Sequence, residues 1–519
     1  MLHLAFIFHM HQPYYKDLLT GQADLPWVRL HGVKDYLDMV QILEKFPKIH
    51  QTFNIVPSLF EQIENYADGS IKERFLELSY KEADHLSGND KNFILNNFFS
   101  INKDRVISNF PRYYELYFKK QRKEEFSTQD YLDLQLWFNL AWIDPSLRAK
   151  SPELKAVIAK GRFYSQEDKR LVLDKQLSIL KEILPAYKRF CGSVQGELSV
   201  TPYYHPILPL LCSSNSAKEA NRQSLLPNKE FRYPQDAKAQ IDGAVNFYRE
   251  RFGSIPNGMW PSEESVSESI LPFIIDSGIK WIVADEAILF KSLKSKERAT
   301  KLLYQPHSLK RKQGSLNIVF RDRNLSDLIG FVYHSWKARN AVEDFMRHLG
   351  NINKTFENQD ILVTIAMDGE NAWEYYANDG HDFLELLYQS LSESDFIKVT
   401  TVSQYLEKHA VRSEIRHLSA GSWIYGNFNK WMGNFYKAKA WDWLLCARAQ
   451  LDKAMPGLSE QDKQLALKQI YVLEGSDWFW WYGEDPDGSF DRLFRLHLRN
   501  FYSIIKVPAP DYLLNPLSA

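Results

Sequence analysis

The sequence predicts an α/β fold built on a parallel barrel. Three observations carry this. Apolar runs of strand length recur through residue 400, polar clusters close several of them, and amphipathic stretches separate them.

Residues 2–8, LHLAFIF, form a continuous apolar run, the pattern of a strand buried on both faces. The run ends in His9-Met10-His11-Gln12-Pro13. Successive strand side chains alternate, so His9 and His11 share a face. Such a pair binds a metal, donates hydrogen bonds to a ligand, or sits satisfied in the core. Residues 49–57, IHQTFNIVP, give the next strand, stopped by Pro57. Residues 60–190 read as helices, with apolar positions at three- and four-residue spacing. Residues 130–145 are their most apolar and aromatic part. The stretch is too long for one barrel helix and is expected to be a helical insertion.

Residues 196–211, GELSVTPYYHPILPLL, return to strand and loop, carrying Glu197 and closing at His205-Pro206. A helix over 233–252 leads to GMWPSEESVS, residues 258–267. There Pro261 stops strand pairing and Ser262 is expected to cap a helix, with Ser265 three residues on. Glu263 lies just past the strand end, where a parallel barrel keeps its chemistry. The alternative is a solvated carboxylate favoured by a helix N-terminus. An apolar helix from 270 returns through Gly278 to the strand KWIVADE. LNIVF (316–320) and DILVTIAM (360–367) are further strands, the second followed by Asp368-Gly369-Glu370. FIKVT (396–400) is expected to close the barrel. Beyond about 405 the pattern turns helical, with a Trp-Gly-Asn loop at 422–434 and helices over 438–455 and 460–474.

Composition narrows the function. Net charge is -1 in 519 residues and no Lys/Arg-rich block stands out, which excludes a nucleic-acid or anionic-membrane footprint. No run approaches the ~18 apolar residues of a membrane span. The N-terminus lacks the basic start of a secretory signal. Three widely spaced cysteines, without a CxxC pair, argue against a disulfide framework and a cysteine zinc site. A cytoplasmic protein is expected, with homo-oligomerisation left open. The 14 Trp, 27 Tyr and 32 Phe supply core and, beside polar groups, flat faces suited to sugar rings.

HMHQP, GELSVTPYYHP, GMWPSE, MDGENAWE and the SWIYGN tail resemble, in order, the five sequence regions of glycoside hydrolase family 57. The wording is most similar to the α-amylase and amylopullulanase branch. The resemblance implies a (β/α)7 barrel over residues 1–405, including the insertion at 60–190, and a C-terminal helical domain over 406–519 that completes the cleft. It implies a retaining enzyme acting on α-glucans such as starch, glycogen, maltodextrin or pullulan, with no cofactor and no metal. By position, Glu263 matches the nucleophile and Asp368 the general acid/base. His9, His11, Glu197, His205, Trp260, Glu370 and Trp423 are the expected sugar-binding residues. Tyr203 is a further candidate for shaping subsites, and Glu370 is a rival for the acid role. Glu264 departs from the pattern, which has glycine after the acid. Its carboxyl either perturbs Glu263 or faces solvent.

Retention needs two carboxyl groups about 5–5.5 Å apart, one attacking the anomeric carbon and one transferring protons. Three alternatives stay open: a 4-α-glucanotransferase or branching enzyme on the same site, a metal-dependent α-mannosidase or carbohydrate deacetylase using His-x-His, and a non-catalytic glycan binder.

Overall fold

The computed structural model describes residues 1–295, 298–370, 372–484 and 488–517. Asn371 in the DGENAWE motif and residues 485–487 of the C-terminal tail lie outside the described residues.

Seven parallel strands form the wall: β1 (Leu2–Met10), β2 (Gln51–Ile55), β3 (Gly196–Val200), β4 (Gly258–Met259), β5 (Trp281–Asp285), β6 (Gly314–Arg321) and β7 (Ile361–Asp368). They pair in chain order, and β7 pairs with β1. A bridge between Thr364 and Arg321 joins β7 to β6 and closes the barrel. The expected closing strand has a different place. Ile397–Val399 pairs with Leu2, His3 and Leu4 at the start of β1. β1 is nine residues long and β2 five, and β2 engages only from Ile7. The early edge of β1 is therefore open for another strand. His307–Arg311, not anticipated, pairs antiparallel with β6.

Alternation decides which side chains fill the barrel. Ala5, Ile7, Trp281, Val283, Val319, Leu362 and Ala366 form a compact interior cluster. The same parity places His9 and Asp368, register partners across β1 and β7, inward at the top. Gly258 is needed because the Trp281 ring would lie 2.1 Å from any Cβ there.

The outer layer includes α1 (Asp38–Gln41) and α2 (Pro57–Asp68). The stretch between β2 and β3 is helical as expected. Its buried helix α3 (Thr128–Trp142) starts at a Ser127–Asp130 capping box, and α4 (Gln166–Cys191) at a Ser165–Asp168 box. Further along come α5 (Pro234–Phe252), α6 (Leu271–Asp276), α7 (Ala338–Thr355) and α8 (His381–Glu393). The C-terminal helices are α9 (Phe435–Ala454), α10 (Glu460–Leu473), α11 (Ser476–Trp481) and α12 (Ser489–Ile504). Among the described residues no helix is long and apolar enough to cross a membrane.

Candidate active site

After β4 the chain does not enter a helix at Ser262. Residues Ser262–Glu264 make one tight turn in which Glu263 (φ 58°) and Glu264 (φ 50°) are left-handed. A bulky residue rarely adopts this conformation unless its surroundings impose it. The C-terminal loop does so here. Val266 and Gly421 exchange backbone hydrogen bonds at 2.8 and 3.1 Å, and Trp423 N–H donates to the Glu263 carbonyl at 3.2 Å. The Trp423 indole donates to Glu263 Oε2 at 2.7 Å. Trp423 lies in the fifth region, beyond the barrel strands, so two distant parts of the chain define one carboxylate.

Glu263 and Asp368 act on each other electrostatically. Burial pushes the Glu263 carboxyl up to about 8, and the charge of Asp368 pushes in the same direction. The Trp423 hydrogen bond opposes both. Burial and Asp368 both favour the protonated form of Glu263, so the ionised form needed for attack gains weight only toward the alkaline side of neutrality. Asp368, Trp423, Arg321, Asp327, Lys430 and Trp480 are among the residues facing a cleft of about 810 Å³. Exposed aromatic rings of Phe331, Tyr375 and Tyr425 also border it.

Glu370 does not face that cleft. It is 1% exposed, and its Oε1 accepts from the His11 backbone N–H at 3.0 Å. Burial, then Asp368, push its carboxyl well above the usual range. Its place is behind the rim, bracing the loop after β1.

Three histidines stack above Trp260. His9 lies 4.9 Å from Trp260 and 5.1 Å from His205, and His11 lies 3.8 Å from His205. Asn54 Oδ1 accepts from His9 Nδ1 at 2.6 Å, so the proton of a neutral His9 sits on Nδ1. His9 Nε2 then accepts from His205 Nε2 at 3.1 Å, and His205 Nδ1 accepts from the Ser476 hydroxyl at 2.8 Å. Burial drives His9 down to about 3 and His205 well below its ordinary value, keeping both neutral. Their ring nitrogens are thus spent on protein partners. His9, expected as a donor to sugar hydroxyls, and His205, expected to bind sugar, form an internal relay that fixes the rim. His11 is the more accessible ring, held by Asp477 Oδ1 at 2.8 Å.

Trp260 is fully buried and packs against His9 and the edge of Trp423, so it supports the floor instead of offering a stacking face. Glu197 is also separated from the rim. It pairs with Thr52, one strand layer below the level of His9 and Asn54. There it accepts from the Trp281 indole at 3.0 Å and from the Ser403 hydroxyl. Tyr203 donates to Glu61 at 2.8 Å and borders another pocket with Tyr204 and Tyr471. Glu264 does not face solvent. It is fully buried, and neither carboxyl oxygen meets a hydrogen-bond partner among the described residues.

Sequence reading missed Asp477 and Arg321. Asp477 sits in the aromatic run SDWFWW, where the rings overshadow it, although an acid in the first turn of a helix is a readable signal. Arg321 ends β6 and lies 5.1 Å from the Trp423 ring. His11, His205 and Asp477 carry ligand atoms within 4.8 Å of one another, a donor set that suits zinc. Both ring nitrogens of His205 are already hydrogen-bonded, so a metal there requires the relay to break.

A closed parallel barrel with carboxyls at its strand ends and a ring-lined cleft beside Asp368 is a setting that suits glycoside cleavage. The model of glycosyl hydrolase family 57 matches residues 5–417, and the chain belongs to that family. Solved structures agree on the fold. A family 57 branching enzyme from the hyperthermophilic archaeon Pyrococcus horikoshii superposes with a TM-score of 0.62 at 16% identity, covering 97% of this chain and 89% of that one. The α-amylase AmyC of Thermotoga maritima gives 0.60 at 13%, covering 97% and 92%. A 4-α-glucanotransferase from Thermococcus litoralis gives 0.54 at 16%, covering 97% and 59%. A comparison with curated proteins returns no match.

Proposed function

We propose that this glycoside hydrolase acts on α-glucans with retention, through a glycosyl–enzyme on Glu263. The observation that carries the reading is the Glu263–Trp423 clamp beside Asp368. One carboxylate is held in a fixed orientation by an indole donor, and a second, on the end of β7, shares its electrostatic field. Glu263 attacks the anomeric carbon as its partner Asp368 gives a proton to the leaving oxygen. Asp368 then takes a proton from the incoming acceptor. His11 and Trp480 contact the sugar, with Asp477 fixing the His11 ring. Starch, glycogen, maltodextrin and pullulan are the proposed substrates, cleaved at α-1,4 and α-1,6 bonds. Residues 1–405 serve as the catalytic barrel and 406–519 as the helical domain. The three cysteines are unpaired, in keeping with a cytoplasmic setting.

A second reading is transfer to another glucan instead of to water. The branching enzyme and the glucanotransferase among the structural neighbours favour it. Chromatography of products from maltoheptaose, pullulan and soluble starch, with wild type and Glu263→Gln, separates these. Shorter chains from wild type alone support hydrolysis, and longer chains beside them support transfer. No product from any of the three contradicts both.

A further inference from the structure

Away from the cleft, three elements bring ionisable side chains into one buried knot. Asp38 opens α1, Asp144 caps the helix Pro145–Lys150, and His381 opens α8. Each is at least nine-tenths buried. His381 Nε2 lies 2.6 Å from Asp144 Oδ2 and 3.7 Å from Asp38 Oδ2. The three ligand atoms all fall within 4.8 Å of one another.

Two further observations point to a missing occupant. Asp38 Oδ1 is enclosed and meets no hydrogen-bond partner among the described residues. A buried carboxylate without partners is costly, and proteins ordinarily satisfy one. The surrounding charge is also out of balance. Asp35, Asp38, Asp144 and Asp379 act on one another here, faced by Lys34, Arg148 and the imidazoles of His31, on Asp35 at 2.8 Å, and His381, on Asp144 at 2.6 Å. Lys34 is committed to Asp35 and Asp379, at 2.5 and 2.9 Å. Arg148 donates to the carbonyls of Leu140 and Ala141. Two carboxylates are left to one imidazole.

We infer that Asp38, Asp144 and His381 form a binding site for a divalent transition cation of the zinc class, one that ties the helical insertion to the barrel. One imidazole and two carboxylates suit zinc or manganese. Tetrahedral zinc with ligands near 2.0–2.1 Å separates its donor atoms by roughly 3.3 Å. His381 Nε2 hydrogen-bonds Asp144 Oδ2 at 2.6 Å, a contact the ion would replace by moving the two atoms slightly apart, and Asp38 Oδ2 lies 3.7 Å from the same nitrogen. A cavity of about 250 Å³ bordered by Lys34, Arg148 and Asp379 lies beside the knot, and the three ligand residues sit behind its wall. Asp144 contributes Oδ2, because its Oδ1 already accepts from Ser146 and Leu147. The site is distinct from the His11, His205 and Asp477 group.

The test strips the full-length protein with chelator and titrates Zn²⁺ and Mn²⁺ by calorimetry, reading the melting temperature in parallel. One equivalent should bind and raise the melting temperature. Asp38→Asn should weaken that binding at least about tenfold, as loss of a metal contact does, and His11→Gln should leave it intact. His381→Gln carries the same expectation as Asp38→Asn, should the latter fail to fold. No binding of either ion to wild type overturns the site, and so does binding that His11→Gln removes and Asp38→Asn keeps.

Discussion

Trp423 grips Glu263 twice, through its backbone N–H to the Glu263 carbonyl at 3.2 Å and its indole N–H to Oε2 at 2.7 Å. The first contact holds a left-handed residue in place, and the second aims its carboxylate. Arg321, 5.1 Å from the indole and paired with Asp327 at 2.6 Å, backs the ring from the other side. The C-terminal loop thereby holds the Glu263 turn as well as bordering the cleft.

Trp423→Phe removes the donor and keeps the ring. A hydrogen bond to a charged group contributes about 1.5–3 kcal/mol, so kcat/KM should fall roughly ten- to hundredfold. The ionised form of Glu263 loses support and its pKa rises further. The acidic limb of the kcat/KM profile should move to higher pH. An unchanged limb would remove Trp423 from this role.

Asp368→Asn should act in the opposite sense on that limb. Without the neighbouring negative charge, Glu263 ionises more easily and the acidic limb moves to lower pH. Activity on natural glucans should drop by about 10²–10⁴-fold, the range for loss of a general acid. An aryl glycoside with a very good leaving group should be largely spared in its first step. Equal loss on both substrates would contradict the acid/base assignment.

Glu264 gives a stability prediction. Burial holds its carboxyl well above the ordinary value, so the folded chain keeps a proton that the unfolded chain releases. The stability tied to that proton is present below the unfolded carboxylate range and is lost as pH rises toward the folded value. Glu264→Gln carries no titrating group, so its melting temperature relative to wild type should increase from pH 5 to pH 8. A constant difference across that range would show that Glu264 does not titrate on unfolding.

Much of this architecture is legible in the sequence, and the boundary has physical reasons. Continuous apolar runs such as LHLAFIF and DILVTIAM announce strands covered on both faces, and period-two alternation already sends His9 and Asp368 to one side. Glu197, expected at the sugar, sits lower, because a strand pattern shows which face a side chain takes but not its depth along the barrel. Register with Thr52 sets that depth. Ser262 looked like a helix cap since capping is local chemistry, whereas the turn at Glu263 is imposed by Trp423 from 160 residues away. His9 and His205 looked like ligand donors because a sequence cannot show that each is the other's hydrogen-bond partner. Asp477 was hidden for the same reason, its meaning resting on contact with His11.

Asp477→Asn should loosen the His11 ring and, by removing a charge that adds less than Asp368 does to the raised Glu263 carboxyl, perturb the carboxyl pair only weakly. The expected result is a KM raised about tenfold on maltoheptaose with kcat changed less, the pattern of lost binding that is uniform along the reaction. A fall in kcat at constant KM would move Asp477 into the chemical step.

The central claim is that Glu263 forms a covalent bond to the sugar. The most direct measurement is mass spectrometry of the protease-digested protein after incubation with 5-fluoro-α-glucosyl fluoride, which slows breakdown of the intermediate. The account predicts one added fluoroglucosyl unit, mapped to Glu263 in wild type and absent from Glu263→Gln. A label on Glu264 or Glu370, or turnover with inverted product configuration and no label, would contradict it.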